Sequence, residues 1–192
     1  MTTRSSPCIA LIGMPGGGKS TVGRQLARHL GWKFVDSDTE IERRLGCSIR
    51  SYFDSHGEAA FRDVEEQVLR ELTEGASHPA VLATGGGAVL RETNRERLRK
   101  AGAVVYLRST PEELFRRLRH DKQRPLLQVG DPLRKLRQLY QERDPLYRST
   151  AQYVIETGRP SVATLVNMIL MQLELAGVLD PSAARPPDLR GS

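Results

Sequence analysis

Apolar positions along the chain follow two alternating rhythms. Five short runs, Cys8–Ile12 and residues 33–35, 80–84, 104–107 and 153–155, are bounded by glycine, proline or charge and read as buried strands. Between them, apolar residues recur every three or four positions. Val22, Leu26 and Leu30 mark a helix from Lys19 that Gly31 ends. Phe61, Val64, Val68 and Leu72 mark a longer one over 58–74. Further helices are predicted over 39–45, 49–54, 94–101, 111–120 (opened by Pro111), 132–147 and 161–175. Residues 121–131 carry no clear period. Strands that alternate with helices predict an α/β fold, a parallel sheet covered on both faces in three layers.

The 192 residues suffice for one domain with its own core. We expect a short arm at 1–7, a single domain at 8–176 and a disordered tail at 177–192, where Pro, Ala, Asp and Arg accumulate. The formal charge of +6 suits either nucleic acid or small anionic ligands. Aromatics are only 5%, and the arginines between Arg91 and Arg148 are interleaved with Glu, Asp and Leu. Neither feature favours nucleic acid binding. Cys8 and Cys47 lack metal or disulfide spacing and read as reduced thiols. No apolar run reaches the ~20 residues of a membrane span, and the N-terminus has no signal core. The expected setting is the cytoplasm, without a membrane partner.

The strongest chemical signal is Gly13-Met14-Pro15-Gly16-Gly17-Gly18-Lys19-Ser20, followed by Thr21. It matches G-x-x-x-x-G-K-[ST] in full and sits between a strand and a helix, as a phosphate cradle requires. Backbone N–H groups of Gly16, Gly17 and Gly18 would curl around phosphate oxygens, with the helix N-terminus behind them. Lys19 would meet the β- and γ-phosphates of ATP, and Ser20 would face Mg²⁺. No base-reading Asn-Lys-x-Asp of a GTPase is present. A small-molecule kinase therefore leads.

Three further groups suit an acceptor site. Asp36 and Asp38 follow the second strand, where ligands of doubly wound sheets bind. One would serve Mg²⁺ and the other the attacking hydroxyl. The bland alternative is that Ser37 or Asp38 merely caps a helix starting at Thr39. Arg62 and Glu65 are helix neighbours at i, i+3, either a surface ion pair or an arginine aimed at an anion. Gly85-Gly86-Gly87 ends the third strand and permits close approach of a ligand to backbone, with Thr84 just before it. Arg124-Pro125 falls in the aperiodic segment and suits a mobile lid; Arg148 ends the helix that follows.

Together these pieces resemble the shikimate kinase family over residues 8–175. The most specific part runs from Arg62 through Glu65 and Leu69 to Val81-Leu82-Ala83-Thr84-Gly85-Gly86-Gly87-Ala88-Val89. The resemblance implies a P-loop kinase sheet of strand order 2-3-1-4-5, a lid near 119–131 and an acceptor-binding region near 37–65. It implies that Asp38 holds the ring hydroxyls of shikimate and takes a proton. Arg62 and Arg148 would bind the shikimate carboxylate, with Glu65 orienting Arg62. Gly85, Gly86 and Gly87 would contact the ring, and Phe53 and Phe61 would line its apolar side. Asp36 would hold Mg²⁺ through water, Arg124 would stabilise the moving phosphoryl group, and Arg117 and Arg159 would sandwich adenine. The implied reaction carries the ATP γ-phosphoryl group to the 3-hydroxyl of shikimate, in a monomer. A gluconate-type kinase shares the P-loop, and a non-catalytic ATP-binding switch would share it too, but a switch would not need the acceptor-side residues.

Overall fold

The computed structural model describes residues 7–119 and 130–182. Along the chain run β1 (Cys8–Ile12), α1 (Lys19–Leu30), β2 (Lys33–Asp36), α2 (Ser37–Leu45), α3 (Ile49–Glu74), β3 (Ala80–Ala83), α4 (Glu92–Ala101), β4 (Gly102–Arg108), α5 (Pro111–Leu118), α6 (Pro132–Thr150), β5 (Tyr153–Glu156) and α7 (Val162–Leu175). The five strands form one sheet in the order β2-β3-β1-β4-β5, every pair parallel. This is the α/β sheet and strand order expected above.

Alternation along each strand divides the core between the two faces. Ile9, Leu11, Val81, Val105 and Leu107 face α1 and α7, meeting Val22, Leu26, Ile169 and Leu173. Ala10, Ile12, Leu82, Val104 and Tyr106 point the other way, against Leu69 of α3, Leu98 of α4, Leu114 of α5 and Leu136 and Tyr147 of α6. These strands are buried on both sides, which is why they read as unbroken apolar runs. A smaller cluster, Ile41, Phe61 and Val68, joins α2 to α3 beside the sheet.

Parallel register brings the functional ends level. Leu11 pairs with Ala83 and Val105, and Asp36 also pairs with Ala83. The P-loop after β1, the acids at the end of β2 and the glycines after β3 therefore open on one edge of the sheet.

Three local findings refine the sequence expectations. Asp36, not Ser37 or Asp38, is the N-cap of α2: its Oδ1 accepts from the backbone N–H of Asp38 at 3.0 Å and of Thr39 at 3.2 Å. The two helices expected over 49–74 are continuous except at Gly57, whose φ of 85° breaks the helical path. Leu179 is buried against the α1–α7 core, and the backbone N–H groups of Val178 and Leu179 donate to the Leu173 carbonyl. The packed body thus passes the expected boundary at 176, because the αL turn at Gly177 folds the chain back onto α7.

Candidate active site

The loop between β1 and α1 lines a cavity of about 410 Å³ together with Asp36, Asp38, Thr84, Gly85, Gly86 and Arg117. Gly16 and Gly18 hold left-handed backbone angles (φ 78° and 86°), which is what lets the loop turn back over the start of α1. Gly17 and Gly18 lead directly into the helix, so its free N–H groups and dipole face the cavity. Lys19 is buried there and its Nζ donates to the carbonyls of Gly13 and Met14, each at 2.8 Å. Its ammonium is thus held against the loop at the site where phosphate charge would gather.

Ser20 Oγ donates to Asp36 Oδ2 at 2.5 Å, while the other oxygen of Asp36 caps α2. A hydroxyl and a carboxylate at this distance are hard oxygen donors, a set that suits Mg²⁺ and its water shell. Among the described residues no group of three or more His, Cys, Asp or Glu is placed to hold a metal ion. Mg²⁺ at a phosphate site does not need one, since phosphates and water complete its shell. Thr84 turns its hydroxyl to the Leu11 carbonyl at 3.0 Å and so ties β3 to β1 at the mouth of the cradle.

A second cavity, about 750 Å³, adjoins the first. Its apolar side carries Phe53 and Phe61, with ring centroids 5.7 Å apart. Arg62 lies 5.1 Å from the centre of the Phe61 ring and donates to Glu65 at 2.9 Å. Glu65 is only 1% exposed; burial raises its pKa and the neighbouring Arg62 opposes that rise. The helical pair seen in the sequence is therefore a buried one that aims the guanidinium into the cavity.

The three glycines each leave room for a different neighbour. A Cβ on Gly85 would lie 2.7 Å from Asp38 Oδ1, one on Gly86 would lie 2.5 Å from Pro15 Cδ, and one on Gly87 would collide with the Arg62 guanidinium. Strand β3 ends in bare backbone because the acid, the P-loop and the arginine all press against it. Asp38 sits where the two cavities meet. Burial first, then the charges of Asp36 and Glu65, push its pKa up to about 6, with Lys19 acting in the opposite direction.

A family model for shikimate kinase matches residues 15–174. The chain belongs to the shikimate kinase family. It is 63% identical over 175 residues to the shikimate kinase of Paracidovorax citrulli, covering 91% of this chain and 96% of that protein. It is 54% identical to the shikimate kinase of Ralstonia nicotianae, covering 93% of each. Shikimate kinase from Acinetobacter baumannii, solved in complex with shikimate, superposes with a TM-score of 0.84 at 49% identity, over 91% of this chain and 96% of that one. A gluconokinase from Sinorhizobium meliloti 1021 superposes at 0.55 with 19% identity, covering 90% of this chain and 94% of that one; this reflects shared fold alone.

Of the residues expected in a shikimate kinase site, the two cavities bring together the P-loop, Asp36, Asp38, Phe53, Phe61, Arg62, Glu65, Gly85, Gly86, Gly87 and Arg117. Arg117 lines the phosphate side and donates to the Thr157 carbonyl at 3.2 Å. Arg159 is exposed after β5 and lines neither cavity. Arg124 and most of the expected lid lie outside the described residues. Arg148 does not reach the acceptor cavity: its side chain is 53% exposed and pairs with Asp144 at 3.1 Å.

The second cavity arginine is Arg143, one of four α6 residues on the wall, with Lys135, Leu139 and Glu142. Helix geometry explains the exchange. Leu136, Leu139, Arg143 and Tyr147 fall at i, i+3, i+7 and i+11, a single inward stripe, and Arg148 lies off it. That periodicity is present in the sequence. The buried Nε atoms of Arg62 and Arg143 both lack a protein acceptor, so each guanidinium retains donor capacity for an anion.

Proposed function

We infer that the chain transfers the γ-phosphoryl group of ATP to the 3-hydroxyl of shikimate, giving shikimate 3-phosphate and ADP. The carrying observation is the junction of two cavities. Pro15, Asp38, Gly85 and Gly86 line both the phosphate cradle and the arginine-bearing acceptor cavity. A hydroxyl beside Asp38 would lie next to the P-loop phosphates, the arrangement that in-line transfer requires.

Each residue then has a chemical task. Arg62 and Arg143 bind the shikimate carboxylate, whose two oxygens match planar guanidinium donors. Glu65 keeps Arg62 in place. Phe53 and Phe61 cover the ring, and the glycine triplet lets it approach backbone. Asp38 accepts the proton of the attacking hydroxyl as the new O–P bond forms and the bond from Pγ to the bridging oxygen breaks, its electrons leaving with ADP. A pKa near 6 suits this base at neutral pH, since it is ionised yet still basic. Lys19 balances charge on the β- and γ-phosphates, and Arg124 is assigned the same task on the moving group. Ser20 and Asp36 would hold Mg²⁺, which would supply charge neutralisation at the phosphates. Arg117 borders the nucleotide side.

No described helix is long and apolar enough to cross a membrane. In this reading the enzyme works on its two small anionic substrates as a cytoplasmic monomer. Product analysis tests the reaction. Incubation with Mg-ATP and shikimate should yield one phosphomonoester whose phosphorus couples to the proton on ring carbon 3. ADP and inorganic phosphate with no phosphorylated shikimate would contradict it.

A further inference from the structure

Tyr147 lies one helical turn after Arg143 and is completely buried. Its hydroxyl donates to the Gly86 carbonyl at 2.6 Å. The positive charge of Arg143, one turn earlier on α6, acts on the same hydroxyl and opposes the pKa rise that burial causes. Its ring packs on Tyr106 with centroids 4.9 Å apart, and the Tyr106 hydroxyl donates to Asp144 at 2.7 Å. Asp144 in turn pairs with Arg108 of β4 at 3.3 Å and with Arg148 at 3.1 Å. Helix α6 is therefore fixed to the sheet immediately after Arg143, through Asp144 and Tyr147.

Buried tyrosines commonly find a partner for the hydroxyl, and that alone would make Tyr147 a core residue. The identity of the partner goes further. It is the backbone of the glycine triplet, 61 residues earlier in the chain, while the helix that carries Tyr147 also carries the second arginine of the acceptor cavity. A single hydroxyl thus joins two walls of that cavity, α6 and the triplet. Burial pushes the phenol pKa up to about 12, so the proton that reaches Gly86 is retained at all working pH values.

We propose that Tyr147 is a positioning residue for the acceptor: its hydroxyl ties α6, and with it Arg143 one turn earlier, to the Gly86–Gly87 peptide, and so sets where the shikimate carboxylate and ring sit relative to Asp38. This rests on the acceptor assignment made above. Arg62 is positioned by Glu65 from α3, and Tyr147 does the equivalent for Arg143 from α6.

The test is Tyr147→Phe, which keeps the ring and removes only the hydroxyl. The KM for shikimate should rise about 5- to 20-fold, while the KM for ATP stays within about twofold, since Lys19 and the loop carbonyls that hold it do not bond to Tyr147. A loss of folded protein would lower the apparent kcat but leave both KM values alone, so the ratio of the two KM values reads positioning and not stability. In an Arg143→Ala background the same substitution should add less than about twofold to the shikimate KM. An unchanged shikimate KM in Tyr147→Phe, an equal rise in both KM values, or a full additional effect without Arg143 would each overturn the proposal. Wild-type protein with no shikimate-dependent ADP release would overturn the acceptor assignment itself, which separates the two failures.

Discussion

The backbone of Gly87 and the guanidinium of Arg62 touch so closely that any side chain at position 87 would occupy the arginine's place. The glycine is therefore a geometric requirement of the arginine, imposed across β3 and α3. Gly87→Ala should displace Arg62 and raise the shikimate KM at least ~10-fold, with the ATP KM unchanged, because a misplaced bidentate donor loses its match to a carboxylate. Steady-state titration of each substrate checks this, and an unaltered shikimate KM would show that Arg62 can serve from another position.

Asp38 trades stability for function. Its pKa in the fold, about 6, stands above its ordinary value of 3.8, so the folded protein binds this proton more tightly than the unfolded chain does. The stability this contributes is complete below pH 3.8 and is lost as pH rises through 6. Asp38→Asn should therefore stabilise the protein at pH 8, by about 1–3 kcal/mol, and give no gain near pH 4. It should also lower kcat/KM at least ~10²-fold. Denaturant unfolding at both pH values measures the first effect. A variant that is less stable at pH 8 would contradict it.

The same titration shapes activity. In wild-type protein kcat/KM for shikimate should fall as pH drops below about 6, following protonation of Asp38. A profile flat down to about pH 5 would remove Asp38 from the role of base.

Arg143 and Arg148 make opposite predictions although they lie on the same helix. Arg143→Ala should raise the shikimate KM ~10²-fold, in line with losing one arm of a charged clamp. Arg148→Ala removes an exposed partner of Asp144 and should change that KM by less than about twofold. Reversal of this order in parallel kinetics would restore Arg148 to the site.

Much of the fold and the site is legible in the amino-acid sequence. The P-loop can be recognised because its glycines, lysine and serine are consecutive and lie between a strand and a helix. The Arg62–Glu65 pair and the glycine triplet are equally local. Relationships made by distant segments are harder to read. Asp36 pairs with Asp38 as chemistry on sequence grounds, but its double use as helix cap and partner of Ser20 depends on β2 ending level with α1. Arg148 is the second carboxylate arginine by resemblance, because a residue at a helix end can be imagined turning inward. The stripe of Leu136, Leu139 and Tyr147 marks Arg143 as inward-facing instead. A charged residue on an apolar stripe reads as an exception until the fold sets Gly86 and Arg62 across the cavity from it.

The double role of Asp36 gives a separable prediction. Asp36→Asn keeps an oxygen to cap α2 but removes the negative charge beside Ser20. The Mg²⁺ concentration for half-maximal activity should rise about 10-fold, with little change in thermal stability. Unaltered Mg²⁺ dependence would separate Asp36 from the metal.

The most direct measurement is ADP release from Mg-ATP, followed by a coupled assay with shikimate, with D-gluconate and without acceptor. The two abutting cavities predict rapid release with shikimate and only background release in the other two. Equal release under all three conditions, or a preference for gluconate, would contradict the assignment of Asp38, Arg62 and Arg143 to a shikimate site.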